Sequence, residues 1–213
     1  MTAKVPSDLP NAGEANQVRV WDRFVRIFHW TVVAGFFAAY FTDGDFLDLH
    51  IWAGYTVGAL VLIRIVWGFA GPRHARFSDF LCGPFRALRY VFDLATGRAA
   101  RHLGHSPAGG LMVMVLLVGL LGASWTGYQH YISDDHSGGM AWSNFLISSA
   151  HAHGEEIHGQ PAAEVEFWGQ AHGWLADLLL LLAVLHLGGV AMASFAHKEN
   201  LVRAMVTGRK RRE

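Results

Sequence analysis

Four long stretches of this chain carry no Asp, Glu, Lys or Arg: residues 27–42, 49–63, 102–133 and 178–197. A bilayer core about 30 Å thick requires about 20 apolar residues of helix, so charge-free runs of this length select membrane-spanning helices over the half-polar helices of a soluble fold. Charged residues make up 16% of the 213-residue chain, against about 25% in an ordinary soluble domain. The 17 Lys and Arg are balanced by 17 Asp and Glu, which argues against nucleic acid as a partner. Cys82 is the single cysteine, so neither a disulfide scaffold nor covalent c-type haem attachment through CxxCH can form.

The expected spans run over about residues 24–42, 50–70, 107–131 and 168–195, giving an all-α integral membrane protein, a four-helix transmembrane bundle. Residues 1–17 are polar, contain Pro6, Pro10 and Gly13, lack the apolar run of a cleavable signal, and read as a loose cytoplasmic tail. The bundle domain is expected to fill residues 18–210. Apart from Arg64, the basic residues lie up to the opening turns of the first span, between the second and third spans, or after the fourth. By the tendency of Lys and Arg to stay on the cytoplasmic side, both termini are cytoplasmic. The other two connections carry only acids: Asp43, Asp45 and Asp48 in the short one, and Asp134, Asp135, Glu155, Glu156, Glu164 and Glu166 in the loop 132–167. This pattern describes a multi-pass membrane protein whose outer side is acidic.

Between the second and third spans, residues 77–98 put Phe85, Leu88, Phe92 and Ala95 at helical spacing. That reads either as an amphipathic helix on the membrane surface or as a cap packed under the bundle. The C-terminal GRKRR reads as a solvated anchor beside lipid headgroups.

Ionisable residues are costly in a bilayer and mark function, and four histidines fall inside the spans. His29 is near the cytoplasmic end of the first and His50 at the outer start of the second, while His172 and His186 lie on the fourth. Fourteen residues at about 100° each nearly complete four turns, so His172 and His186 share a face about 21 Å apart along the axis. The first helix runs outward and brings His29 to the depth of His186; His50 lies at the depth of His172. Two facing imidazoles at each of two depths are what two bis-histidine b haems require, an inner one on His29 and His186 and an outer one on His50 and His172. Zinc or copper fits less well, because such sites gather three or four donors within a few ångströms. The competing account is that these histidines only bond between helices.

Gly54 and Gly58, one and two turns beyond His50, leave room for a flat ligand, although the same spacing is a plain helix-packing motif. Arg64, 14 residues after His50, lies on the same face at the inner depth, where it is placed to pair with a propionate of the inner haem or to snorkel to the headgroups. The outer haem has no such cation available, so its propionates would rely on backbone, Tyr, Trp, His or water donors. In the outer loop, His151, His153, Glu155, Glu156 and His158 could chelate a metal, but an acidic docking surface for a basic periplasmic protein is the preferred reading. His130 is a rival outer ligand. Asp177 is an intramembrane acid suited to a proton-carrying role or to bond a neighbouring helix, and His197 continues the ligand face to the boundary.

The strings RVWDRFVRIFHW (19–30), HIWAGY (50–55), RIVWGFAGPRHARFSDF (64–80), GHSPAGG (104–110) and HKENLVRAMVTGRK (197–210) together resemble the bacterial cytochrome b561 family, which includes the b-type cytochrome subunit of nickel-iron hydrogenases. The resemblance covers about residues 18–210. It implies four transmembrane helices, b haems bound by histidines of the first, second and fourth, and electron transfer between quinone and a redox partner. Carried over by position, the ligands are His29, His50, His172 and His186, with Arg64, His105, Pro107 and Gly109 at family-typical places. The expected function is electron transfer across the membrane between the quinone pool and a periplasmic partner, a cytochrome c or a dehydrogenase or hydrogenase subunit. Quinone oxidoreductase activity and homo-oligomerisation are both left open. Two alternatives stand beside it: a haem-bearing anchor subunit of a hydrogenase or dehydrogenase, and a haem-free transporter or metal-handling protein.

Overall fold

The computed structural model describes residues 17–42, 44, 46–133 and 162–212. Expectations for residues 1–16 and for most of the acidic loop, including His136, His151, His153, Glu155, Glu156 and His158, fall outside the described residues. In chain order the elements are strand β1 (Gln17–Arg19), helix α1 (Arg23–Phe41), α2 (Leu47–Ala70), a 3-10 turn (Arg73–Ala75), α3 (Phe77–Phe80), α4 (Pro84–Ala95), α5 (Pro107–Ser133), α6 (Ala162–Ala196), α7 (Leu201–Thr207) and strand β2 (Arg209–Arg211). Helices α1, α2, α5 and α6 are long and apolar enough to cross a membrane, so the chain is a predominantly helical membrane protein.

Helix ends follow local chemistry. Asp22 caps α1 by accepting from the Val25 amide at 2.8 Å. Ser106 does the same for α5, its hydroxyl accepting from the Gly109 amide at 3.1 Å, with Pro107 as the first helical residue. Helix α6 begins at Ala162, six residues before the apolar run, because Glu164 and Glu166 are favourable in the positive first turns of a helix. The expected single amphipathic segment 77–98 is instead two helices broken at residues 81–83. Proline at 84 disfavours helical backbone in the residue before it and opens α4 in its place.

The described residues form two compact units, one of residues 17–30, 64–113 and 185–212, the other of the described residues within 31–63 and 114–184. Each long helix contributes one stretch to each. The first unit is organised by Trp21. Its ring lies in a buried cluster with Val20, Val25 and Ala75, against Phe24, Trp67 and Met205. The basic C-terminus is part of this unit: β2 pairs antiparallel with β1, Val18 opposite Lys210, and Arg209, Arg211 and Arg212 are exposed as expected while Lys210 is not. Lys210 is buried, its ammonium 5.8 Å from the Trp21 ring centre and donating to the His102 carbonyl at 3.3 Å. Arg101 donates to Glu199 at 3.0 Å and to the carbonyls of Arg211 and Arg212. Backbone pairing and a buried ammonium thus fix a segment whose charge alone suggested solvation. Helix α4 buries Ala87, Tyr90 and Leu94, while Phe85, Leu88 and Phe92 remain exposed, so it packs on the protein by one face and presents an apolar stripe on another.

In the second unit the four helices close a ring of contacts made by small residues. A Cβ at Gly35 would sit 2.9 Å from Val57 (α1 on α2), one at Gly58 3.1 Å from Ser124 (α2 on α5), and one at Gly119 2.8 Å from Leu179 (α5 on α6). Helix α6 returns to α1 through Tyr40, whose hydroxyl donates to Asp177 at 2.9 Å. Its buried hydrophobic residues are Val32, Ala53, Val57, Val61, Leu117, Leu120 and Leu179.

His105 couples the first unit to pH. Its ring lies 4.6 Å from that of Trp21 and 4.3 Å from that of Phe80. Burial, reinforced by the nearby charges of Arg64 and Lys210, pushes this imidazole down to about 3. The ring is therefore neutral in the fold while the unfolded chain takes up a proton below pH 6.5, so stability is full above that pH and falls as the pH drops from 6.5 toward 3. The loss approaches about 1.4 kcal/mol per pH unit in that window. Thermal unfolding of detergent-purified protein between pH 7 and 4 should show this decline, and His105→Gln should flatten it; an equally steep decline in the variant would contradict the assignment.

Candidate functional site

The second unit contains a cavity of about 110 Å³ walled by all four helices, with His50 of α2 and His172 of α6 on its lining. The two imidazole centres are 5.8 Å apart and their planes cross at 78°. His50 Nδ1 lies 2.8 Å from the Ala39 carbonyl and His172 Nδ1 lies 3.0 Å from the Ala123 carbonyl. A carbonyl only accepts, so each Nδ1 carries the proton and each Nε2 carries the lone pair. This is how metal-bound imidazoles are held, one nitrogen donating to the backbone and the other directed to the metal. Two nitrogen–metal bonds of about 2.0 Å, with each nitrogen about 1.1 Å from its ring centre, require ring centres about 6 Å apart. The observed spacing thus suits one metal ion between the rings.

Glycine makes this arrangement possible at two places. A Cβ at Gly127 would stand 2.9 Å from Cε1 of His172, so only glycine lets the ring lie flat against α5. Gly54 lines the cavity and a Cβ there meets nothing within 4 Å, leaving open space one turn from His50. Gly58 differs: its face packs on Ser124. His130, the rival ligand, has Nδ1 3.2 Å from the Val165 carbonyl and packs on Gly169; it does not line the cavity. Asp177 accepts from Tyr40, joining two helices.

The sequence names tyrosine only as one of several donor types open to the outer haem and points to no particular tyrosine. Four of the five in the chain, Tyr40, Tyr55, Tyr128 and Tyr131, line the cavity. The available signal was a phenol within an apolar run, but which turns face inward depends on helix rotation, which weak amphipathicity leaves undetermined.

His29 and His186 both belong to the first unit and are electrostatic neighbours there. His29 Nδ1 is buried with no hydrogen-bond partner among the described residues. Arg64, 2% exposed, does not reach out toward headgroups. Its NH2 donates to the Ala75 carbonyl at 3.0 Å and its guanidinium lies 5.3 Å from the Phe77 ring centre. NH1 is buried without a partner. A buried guanidinium nitrogen and a buried ring nitrogen left unsatisfied in one unit are groups that a bound carboxylate and a metal would satisfy. At the edge of this unit His197 Nε2 lies 3.2 Å from the Tyr90 hydroxyl. Among the described residues no three His, Cys, Asp or Glu side chains gather as a metal site, so donors come in pairs.

Gly127→Ala tests the packing of His172. The added methyl would displace the ring by a few tenths of an ångström or more, and the variant should unfold at a lower temperature than the parent. An unchanged unfolding temperature would show that the close approach does not position the ring.

The sequence pattern of the family described as prokaryotic cytochrome b561 matches residues 20–208. No curated protein and no solved structure matches the chain. The match runs from Val20, beside the Trp21 cluster, to Gly208, the left-handed cap of α7, and includes all four apolar helices and both histidine pairs. The chain therefore belongs to the prokaryotic cytochrome b561 family and is a membrane-bound b-type cytochrome of electron transfer.

Proposed function

We propose that this cytochrome binds two b haems and carries electrons across the membrane between the quinone pool and a periplasmic redox protein. The observation that supports this most is the His50–His172 pair, two imidazoles with Nδ1 tied to helix carbonyls and ring centres 5.8 Å apart. In this reading His50 and His172 are the axial ligands of the outer haem, with Gly54 leaving space for it and Gly127 admitting the His172 ring. His29 and His186 are the axial ligands of the inner haem, and the unpartnered NH1 of Arg64 takes one of its propionates. Haem iron supplies a reversible one-electron change; the protein orients the ring, excludes water and sets its charge environment.

The orientation follows from charge. All 17 Lys and Arg lie in residues 1–30, 64–113 and 185–213, and none in 31–63 or 114–184. Positive residues are retained in the cytoplasm, so the His29/His186 pair is the inner one and the His50/His172 pair faces the periplasm. An acidic outer side suits a basic partner, with association that weakens as salt rises.

Haem extracted from purified protein should amount to two per chain. His186→Ala should remove the inner haem and leave most of the outer; His172→Ala should do the reverse. Loss of the same spectral component in both variants would overturn the pairing, and a single haem in the parent would overturn the two-haem reading. Gly54→Leu, which fills the space beside His50, should remove the outer component alone.

A further inference from the structure

The two units offer a carboxylate-bearing ligand very different chemistry. Haem b carries two propionate carboxylates, and each unit must accommodate a pair of them under the two-haem reading, on which this inference rests. In the first unit the Arg64 guanidinium is buried with NH1 unpartnered, and Arg26 Nε is likewise buried and unpartnered. The second unit has neither Lys nor Arg anywhere in its sequence. Its described charges are Asp48, Glu164, Glu166 and Asp177, all acidic. What it offers instead are neutral donors. Tyr55, Tyr128 and Tyr131 stand close enough on the cavity wall to be electrostatic neighbours. The indole Nε1 of Trp168 is buried without a partner, the one such side-chain atom among the described residues of this unit. Trp168 sits one turn outward from His172 on α6, extending the line of His172, Ala176 and Leu179 that faces the cavity. An indole N–H can only donate, so an acceptor is what it lacks.

Charge then separates the potentials. Accepting an electron makes a haem more negative by one charge. Acidic surroundings in a low-dielectric interior oppose that change, and a buried guanidinium favours it. The nearest acid stands one hydrogen bond behind the wall: Tyr40 lines the cavity, and Asp177, itself exposed and next to the wall residue Ala176, accepts from the Tyr40 hydroxyl.

We infer that the outer haem is anchored by neutral donors, Trp168 foremost, in a cation-free acidic unit and is the lower-potential haem, whereas the inner haem, anchored by Arg64, is the higher. The two potentials then arise from two sets of side chains, each open to change without touching an axial ligand.

The experiment is a spectroelectrochemical titration of the detergent-purified holoprotein, with haem counted per chain in every sample. The parent should titrate in two waves. Asp177→Asn should raise the lower wave and leave the higher in place, and Arg64→Gln should lower the higher wave and leave the lower. Trp168→Phe keeps the aromatic bulk and removes only the N–H, so it should shift the lower wave alone even if either charge variant fails to fold. A single unsplit wave from two haems would overturn the inference, as would Asp177→Asn or Trp168→Phe moving the higher wave. The two-haem reading would survive all of these results, and one haem per chain would end that reading itself.

Discussion

An imidazole whose Nδ1–H is held by a helix carbonyl is fixed in tautomer and direction, and the rest of the site depends on that constraint. His50 is so held by Ala39 of the preceding helix and His172 by Ala123 of α5. Each ring is therefore fixed by a neighbour on a different helix, and the ring spacing is set by helix packing rather than by the histidines' own flexible torsions. The small residues at the helix contacts, Gly35, Gly58, Gly119 and Gly127, are what permit that packing. Site and fold are in this sense one set of contacts.

The same economy governs charge. The membrane makes cations expensive inside and directs them to one side, so all the guanidinium and ammonium groups fall in one of the two compact units. There they do structural work as well: Lys210 over Trp21, Arg101 binding the C-terminal strand, and Arg64 holding the turn at Ala75. The other unit meets its polar needs with hydroxyls, an indole and one intramembrane acid.

Much of this was legible in the sequence because the bilayer imposes a length on uncharged runs and a sidedness on basic ones. The four long helices were located to within a few residues, the largest displacement being the start of α6, where a glutamate-rich first turn extends beyond the apolar run. The histidine pairs followed from the 14-residue spacing on one helix. Three features were not legible. The break at residues 81–83 was hidden under a continuous amphipathic pattern, although Pro84 marked it. The pairing of residues 17–19 with 209–211 joins opposite ends of the chain, and no local pattern encodes it. The tyrosine wall depends on the rotation of four helices about their axes, and nearly uniform apolar helices conceal that rotation.

Low-temperature electron paramagnetic resonance of the oxidised holoprotein bears most directly on the proposed ligation. Two histidines per iron, with the His50 and His172 planes crossed at 78°, should give low-spin ferric haem with a strongly anisotropic signal from that pair. A high-spin ferric signal accounting for the bound haem would contradict bis-histidine ligation and with it the site described above.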